Sequence, residues 1–319
     1  MKTLKEQIAG IMKAEGADLV RFGNIERFRD RTALKLMPEV RTVVCAAFRQ
    51  LRGSRRGIEE GSTYYQYTTT AVETLEEVVM PAALLRGCCV LEENGFEALP
   101  QKRSQLIMQT ENDTNPEVDY TEIYRGKTAE NQLDFELCAV DCGLGEKGLS
   151  GSILTDDFGP FIRWCFILTD AVIEPDPVIE PHLCDRCGEC VKACPGHAIS
   201  EDGVLNRWQC AAYYMGANRS KNPFMPPDAF ANDPDRLAII AGEAQLTPER
   251  AREGIDQIHF YPPIKHAYPA SICGRACDTA CSIHLEEKGL LTHKFNTPFR
   301  KRPEWKLPLL QEEKKEKTS

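Results

Sequence analysis

Cys184-Asp-Arg-Cys187-Gly-Glu-Cys190-Val-Lys-Ala-Cys194-Pro195 is the stretch around which this chain is organised. Its spacing, C-x2-C-x2-C-x3-C-P, is a [4Fe-4S] ligation pattern in which three close thiolates grip one cluster and the fourth reaches a second. Three cysteines on one small loop offer soft, anionic sulfur, which suits iron with sulfide far better than hard, oxygen-loving ions. Gly188 and Gly196 permit tight turns, and Pro195 stops the loop. Zinc sites use two C-x2-C pairs or Cys/His pairs, so three consecutive steps closed by Cys-Pro argue against zinc and against a disulfide framework.

A fourth cysteine that serves another cluster demands more ligands downstream. Cys210 stands in Arg207-Trp-Gln-Cys-Ala-Ala-Tyr-Tyr214, and Cys273-x3-Cys277-x3-Cys281 follows. Crossing the ligands as two-cluster ferredoxins do assigns Cys184, Cys187, Cys190 and Cys281 to one cluster, and Cys194, Cys210, Cys273 and Cys277 to the other. The second run departs from the first: its opening spacing is one residue longer, and Ser282 stands where proline is expected.

With 319 residues the chain has room for two domains. Fourteen cysteines are many, but Met1-Lys-Thr-Leu-Lys-Glu-Gln-Ile8 reads as the start of an amphipathic helix and not as a signal peptide, so a reducing cytoplasm is expected. The most apolar stretch, Val78 to Leu91, is interrupted by Pro81, Arg86 and Gly87, so no membrane span is expected. A net charge of -9 argues against a protein whose main task is holding nucleic acid. The one basic stripe, with Lys294, Arg300, Lys301 and Arg302, reads as a solvated segment balanced by Glu286, Glu287 and Glu304.

Leu4, Ile8, Ile11 and Met12 fall on one face of a helix over residues 3–15. The apolar runs 17–22 and 42–48 read as strands separated by a helical stretch, a β-α-β start. Residues 53–61, bounded by glycines, read as a loop, and 64–93 as one or two helices broken near Pro81 and Gly87. Residues 101–128 are polar and irregular, an excursion or a loop over a site. A helix-like segment ends at Val140; beyond it, 152–155, a turn at Asp156 to Pro160 and 161–169 resemble a β-hairpin. The proline-spaced linker 174–181 divides a first domain, 1–173, from a cysteine module, 174–285, followed by a charged tail, 286–319.

Gly143-x-Gly145-x-x-Gly148 formally matches a dinucleotide fingerprint, but a helical segment precedes it and a hairpin follows, which argues against a Rossmann site. The stretch Ala139-Val-Asp-Cys-Gly143-Leu-Gly-Glu-Lys-Gly148-Leu-Ser-Gly-Ser-Ile-Leu-Thr-Asp-Asp-Phe-Gly159-Pro-Phe-Ile-Arg163, with Ile167-Leu-Thr-Asp170 and the two cysteine runs, resembles the epoxyqueuosine reductase and reductive dehalogenase superfamily. The resemblance covers roughly residues 135–285 and implies an α+β chain: a nitroreductase-like α/β domain holding a cobalamin, then a ferredoxin-like module with two [4Fe-4S] clusters. It places Cys142, Gly143, Leu144, Gly145, Gly148, Ser150, Gly151, Phe158 and Gly159 along the wall of the corrinoid site. In the queuosine enzymes a proton-donating aspartate, followed by Gly-Pro and Glu-Arg pairs, precedes the glycine loop. Its counted position here falls near Ala129, without those pairs, so Glu130 and Asp134 are the nearest candidate acids and Tyr120 and Tyr124 the alternative donors.

The expected function is a cytoplasmic iron-sulfur reductase that passes low-potential electrons through two clusters to a cobalamin, reducing a small or nucleoside-type substrate. Its expected partners are a low-potential donor such as a ferredoxin or flavodoxin and a small-molecule substrate. The alternatives are an electron-transfer subunit without its own corrinoid and a tRNA epoxyqueuosine reductase, the last disfavoured by the acidic charge.

Overall fold

A computed structural model describes residues 2–60, 63–103, 132–257 and 271–299. The chain forms two compact units, Met1–Gln50 with Glu73–Arg186, and Leu51–Val72 with Cys187–Ser319. The division therefore falls inside the cysteine run, and the segment 51–72 joins the second unit.

In the first unit, helix α1 (Leu4–Ala14) opens on a capping box: Thr3 Oγ1 accepts the Glu6 N–H while the Glu6 carboxylate accepts the Thr3 N–H. A four-stranded sheet follows in the order β1-β2-β6-β3, from β1 (Leu19–Asn24), β2 (Thr42–Arg49), β3 (Ala98–Gln101) and β6 (Ile162–Thr169). Every pairing is antiparallel. The expected β-α-β start is corrected accordingly: a short helix, α2 (Thr32–Leu36), does connect β1 to β2, but the two strands run in opposite directions. Periodicity reports strands and says nothing of their direction.

β2 and β6 are buried on both faces, which is why they read as unbroken apolar runs. Val43, Cys45, Ala47, Trp164, Phe166 and Leu168 face one core with Phe135, Cys138 and Cys142. Val44, Ala46, Phe48, Cys165 and Ile167 face the other, against Ile8 and Met12 of α1 and Ala83, Leu84 and Leu91 of α4 (Met80–Glu93). Burying each large apolar side chain stabilises the fold by about 1.5–3 kcal/mol.

α4 runs through both residues expected to break it. Pro81 lies in its first turn, where a missing N–H costs little. At Gly87, a β-carbon would come within 2.8 Å of Ile167 Cδ1, so this glycine permits close helix–sheet packing. Two segments of wide helical turns, Tyr67–Glu73 and Leu75–Val79, precede it. The expected hairpin of 152–155 with 161–169 is also corrected. The partner of β5 (Ile153–Leu154) is β4 (Glu146–Lys147), while β6 pairs with β2 and β3.

In the second unit, residues 52–60 form helix α3 (Arg52–Glu60) where a loop was expected. The helix is anchored by long-range partners: Arg52 pairs with Glu286 at 2.8 Å and Arg55 Nη1 donates to the Gly274 carbonyl at 2.9 Å. A second core gathers Trp208, Ala212 and Tyr213 of α7 (Arg207–Met215) with Met225, Phe230, Ile239 of α8 (Arg236–Ala241), Leu246 and Ala251 of α9 (Pro248–Gln257). The fully buried Gln209 amide donates to the carbonyls of Gly196 (2.8 Å) and Ala244 (2.6 Å) and accepts the Leu246 N–H (2.8 Å). A satisfied buried amide of this kind fixes the chain just after Pro195 to the helix that carries Cys210.

Candidate iron-sulfur centre

The cysteine run turns through backbone conformations that tight loops require. Gly188 (φ 78°) starts α6 (Glu189–Ala193), and His197 (φ 49°) follows the Cys194-Pro195-Gly196 corner. A β-carbon on Gly196 would enter the Tyr213 ring, so glycine is needed there for packing. Asn218 Nδ2 donates to the Pro195 carbonyl at 2.8 Å and holds the same corner.

The downstream cysteines arrive on separate elements. Cys210 lies within α7; Cys273 lies in the loop whose Ile272 and Cys273 N–H groups bond the Tyr214 carbonyl at 3.0 and 3.2 Å. Cys277 and Cys281 are one turn apart on α10 (Ala276–Glu287), which packs against α6. α10 continues past Cys281 to Glu287, and a proline at 282 would remove one of its hydrogen bonds. Ser282 in place of the expected proline follows from that continuity.

Cys194, Cys210, Cys273 and Cys277 form one electrostatic neighbourhood. Burial pushes the Cys210 thiol up to about 11; Arg275 opposes the rise, and Cys194 adds to it. Burial likewise pushes Cys273 up to about 12, with Cys210 and Cys194 contributing. Cys277 is raised chiefly by burial, with Asp278, Cys273 and Cys210 adding. Clustered, partly buried thiols that raise one another's pKa suit a metal centre, since a coordinating thiol is deprotonated outright and metal charge offsets the cost. Backbone amides also point at the sulfurs: Ala198 N–H reaches Cys194 Sγ at 3.2 Å and Ala276 N–H reaches Cys273 Sγ at 3.3 Å. Such N–H···S bonds stabilise an anionic cluster and tune its potential. The donor set fits a [4Fe-4S] cluster.

Cys187, Cys190 and Cys281 lie in the second unit. Cys187 is exposed and Cys190 buried on α6, and a ring nitrogen of His284, one turn beyond Cys281, lies within 4.8 Å of Cys187 Sγ. Cys184 belongs to the first unit, and there the glycine loop mounts it. The Glu146 side chain is 2 % exposed, and its carboxylate accepts the backbone N–H groups of His182 (2.5 Å), Leu183 (2.9 Å) and Cys184 (2.7 Å). Leu149 N–H then donates to Cys184 Sγ at 3.3 Å. Neither Glu146 nor His284 carried a sequence signal, because a charged residue in a glycine loop and a histidine on a helix read as solvated surface.

The loop glycines have packing partners in the chain itself. A β-carbon on Gly143 would strike the Pro177 carbonyl, on Gly145 the Leu154 carbonyl, and on Gly148 would come within 3.1 Å of the Leu154 side chain. Leu144 and Ser150 are buried, and Gly159 makes a bridge with Thr155. Cys142 is wholly buried with its thiol directed at the carbonyls of Val43 (3.3 Å) and Arg21 (3.6 Å), so it faces the sheet. At Gly151 a β-carbon would meet only Lys147 Cε, at 3.9 Å, and the half-buried Phe158 ring lies 5.5 Å from the Arg49 guanidinium. Gly143, Gly145 and Gly148 are thus each in close contact with other parts of the chain. Asp134 caps helix α5 (Phe135–Asp141) through the Leu137 N–H and donates its own N–H to Asp30. Glu130, Tyr120 and Tyr124 lie outside the described residues.

Cys45, Cys138 and Cys165 are core thiols in the sheet unit, each pushed up mainly by burial. Cys88 is pushed up to about 12 by burial on α4.

Residues 177–200 match the family model of the 4Fe-4S binding domain. That central segment is thus similar to [4Fe-4S] binding domains. Stretches of the chain are similar to epoxyqueuosine reductases and to reductive dehalogenases. One stretch of 83 residues is 30% identical to the epoxyqueuosine reductase of Prochlorococcus marinus (strain NATL2A), covering 26% of each chain. Another of 92 residues is 36% identical to a tetrachloroethene reductive dehalogenase of Desulfitobacterium hafniense, 27% of this chain and 15% of that one. The matched stretches span about a quarter or less of these relatives' length. Among solved structures, the epoxyqueuosine reductase of Streptococcus thermophilus superposes with TM-score 0.43 at 12% identity, over 83% of this chain and 69% of that one. The catabolic reductive dehalogenase NpRdhA superposes with TM-score 0.48 at 12% identity, over 91% and 38%. No helix among the described residues is long and apolar enough to cross a membrane.

Proposed function

We propose that this protein is an iron-sulfur reductase with two [4Fe-4S] clusters, which takes low-potential electrons one at a time from a ferredoxin- or flavodoxin-type donor and passes them to an acceptor held by the first unit. The carrying observation is the gathering of Cys194, Cys210, Cys273 and Cys277, from three stretches of the sequence, into one partly buried set with amide donors on the sulfurs of Cys194 and Cys273. The other cluster takes Cys184, Cys187, Cys190 and Cys281.

This chain's residues do three things in that scheme. The Gln209 amide holds the Gly196 corner after Cys194, the amides of Ala198 and Ala276 hold their thiolates in place, and Glu146 holds the backbone of Cys184. The proposed acceptor is a corrinoid, a reading that rests on the resemblance of residues 139–163, and Asp134, Glu130, Tyr120 and Tyr124 are its proposed proton donors. A bound corrinoid would supply cobalt reducible at low potential. The substrate is proposed to be a small or nucleoside-type electrophile, in keeping with relatives named as reductases.

Anaerobic reconstitution followed by iron, sulfide and corrinoid analysis tests this. About eight irons per chain with a bound corrinoid is the expected result. About eight irons without corrinoid would leave an electron-transfer subunit, and about four would remove the second cluster.

A further inference from the structure

Arg275 occupies a position that is hard to explain by folding alone. It has φ 57°, in the left-handed region, directly after Gly274 at φ 55°. A non-glycine residue in that conformation carries strain, and such strain at a site points to a function for the side chain held there. Arg275 stands between Cys273 and Cys277, immediately before α10. Its Nε is 2.7 Å from Asp278 Oδ2. Asp278, 2 % exposed, also lies 3.5 Å from the guanidinium of Arg55, which is itself 1 % exposed and stacked 4.8 Å from the Tyr67 ring. The loop is pinned from below, since Arg55 bonds the Gly274 carbonyl and Ser271 Oγ accepts the Gly274 N–H at 2.8 Å. Two guanidinium groups thus meet one carboxylate beside the second cysteine run. The guanidinium of Arg275 is near enough to Cys210 and Cys277 to interact electrostatically with both.

Resting on the two-cluster reading above, we propose that Arg275 raises the reduction potential of the cluster held by Cys194, Cys210, Cys273 and Cys277. A four-thiolate cluster is anionic when oxidised and gains one more negative charge when a one-electron donor reduces it. A fixed cation beside the cluster, here a guanidinium two-thirds buried, therefore stabilises the reduced form more than the oxidised form. Asp278 acts in the opposite sense and holds the guanidinium in place. Arg275 does not touch the substrate; it tunes the electron path.

The test is an EPR-monitored redox titration of the anaerobically reconstituted full chain, with iron counted on the same samples. Arg275→Gln is expected to keep about eight irons and to make one midpoint more negative. The shift should be at least tenfold in the reduced-to-oxidised ratio at fixed potential, which is 59 mV for one electron. The other midpoint should stay in place. Arg275→Lys should retain most of the wild-type potential, and Asp278→Asn should shift the same midpoint the other way. A structural role cannot give shifts of opposite sign. Unmoved midpoints with about eight irons, shifts in the same direction for both charge changes, or loss of the cluster in both Arg275 variants would each overturn the proposal. A wild-type count near four irons would instead defeat the two-cluster reading on which it stands.

Discussion

The carboxylate of Glu146 accepts the backbone N–H of Cys184 at 2.7 Å and the two N–H groups before it as well, so a side chain from the glycine loop holds the entry to the cysteine run. Three successive amides converging on one buried anion make a small nest, and each hydrogen bond to a charged group contributes about 1.5–3 kcal/mol. In Glu146→Gln one oxygen becomes an NH2 that faces backbone donors. Expected is a loss of about 3 kcal/mol in anaerobic denaturant unfolding, together with partial loss of iron. Full stability and full iron in this variant would show that Cys184 is positioned by other means.

The crossed ligand assignment predicts which cysteine substitutions act alike. Cys210→Ser and Cys277→Ser should abolish the same EPR signal and leave about four irons. Cys187→Ser and Cys281→Ser should abolish the other signal. Cys277 and Cys281 are neighbours on α10, so their falling into different groups is the informative outcome. Cys165→Ala, in the wholly buried sheet core, should retain about eight irons, with a cavity cost on the order of 1 kcal/mol read from the unfolding midpoint.

Gly145 separates packing from cofactor binding. Its missing side chain leaves room for the Leu154 carbonyl, and a larger residue pushes β4 off β5. Gly145→Val should therefore lower thermal stability and disturb Cys184 through the displaced Glu146, even in protein prepared without any corrinoid. Unchanged stability of that variant in corrinoid-free protein, with loss of corrinoid alone, would return this glycine to a ligand-facing role.

The cysteine chemistry was legible in the sequence because ligand spacing is local, and the same holds for α1, whose apolar period needs no tertiary context. What escaped was decided by partners far along the chain. Helix α3 contains two glycines and many charges, and Glu286, Asp278 and Gly274 hold it in place. The pairing of β5 with β4 depends on a two-residue strand too short to show alternation. Glu146 looked like an exposed loop charge until the backbone amides of 182–184 came to it. Arg275 reads as any surface arginine; its backbone conformation and its pairing with Asp278 single it out.

His182 supplies a pH dependence with a definite sign. Its ring bonds the Glu180 carbonyl at 2.8 Å and Asp156 at 2.7 Å, and these contacts, the carbonyl first, raise its pKa above the ordinary 6.5. Folding therefore favours the protonated ring. The stabilisation is complete below pH 6.5 and is lost as pH rises through the raised value. The ring is half exposed, so the effect is small and weakened by salt. In His182→Asn the gap in unfolding midpoint from the wild type should be widest at acidic pH, should close toward alkaline pH, and should shrink at high ionic strength. A gap that widened with pH would mean that the neutral ring is the form the fold prefers, and that Asp156 and Glu146 do not act on it as charges.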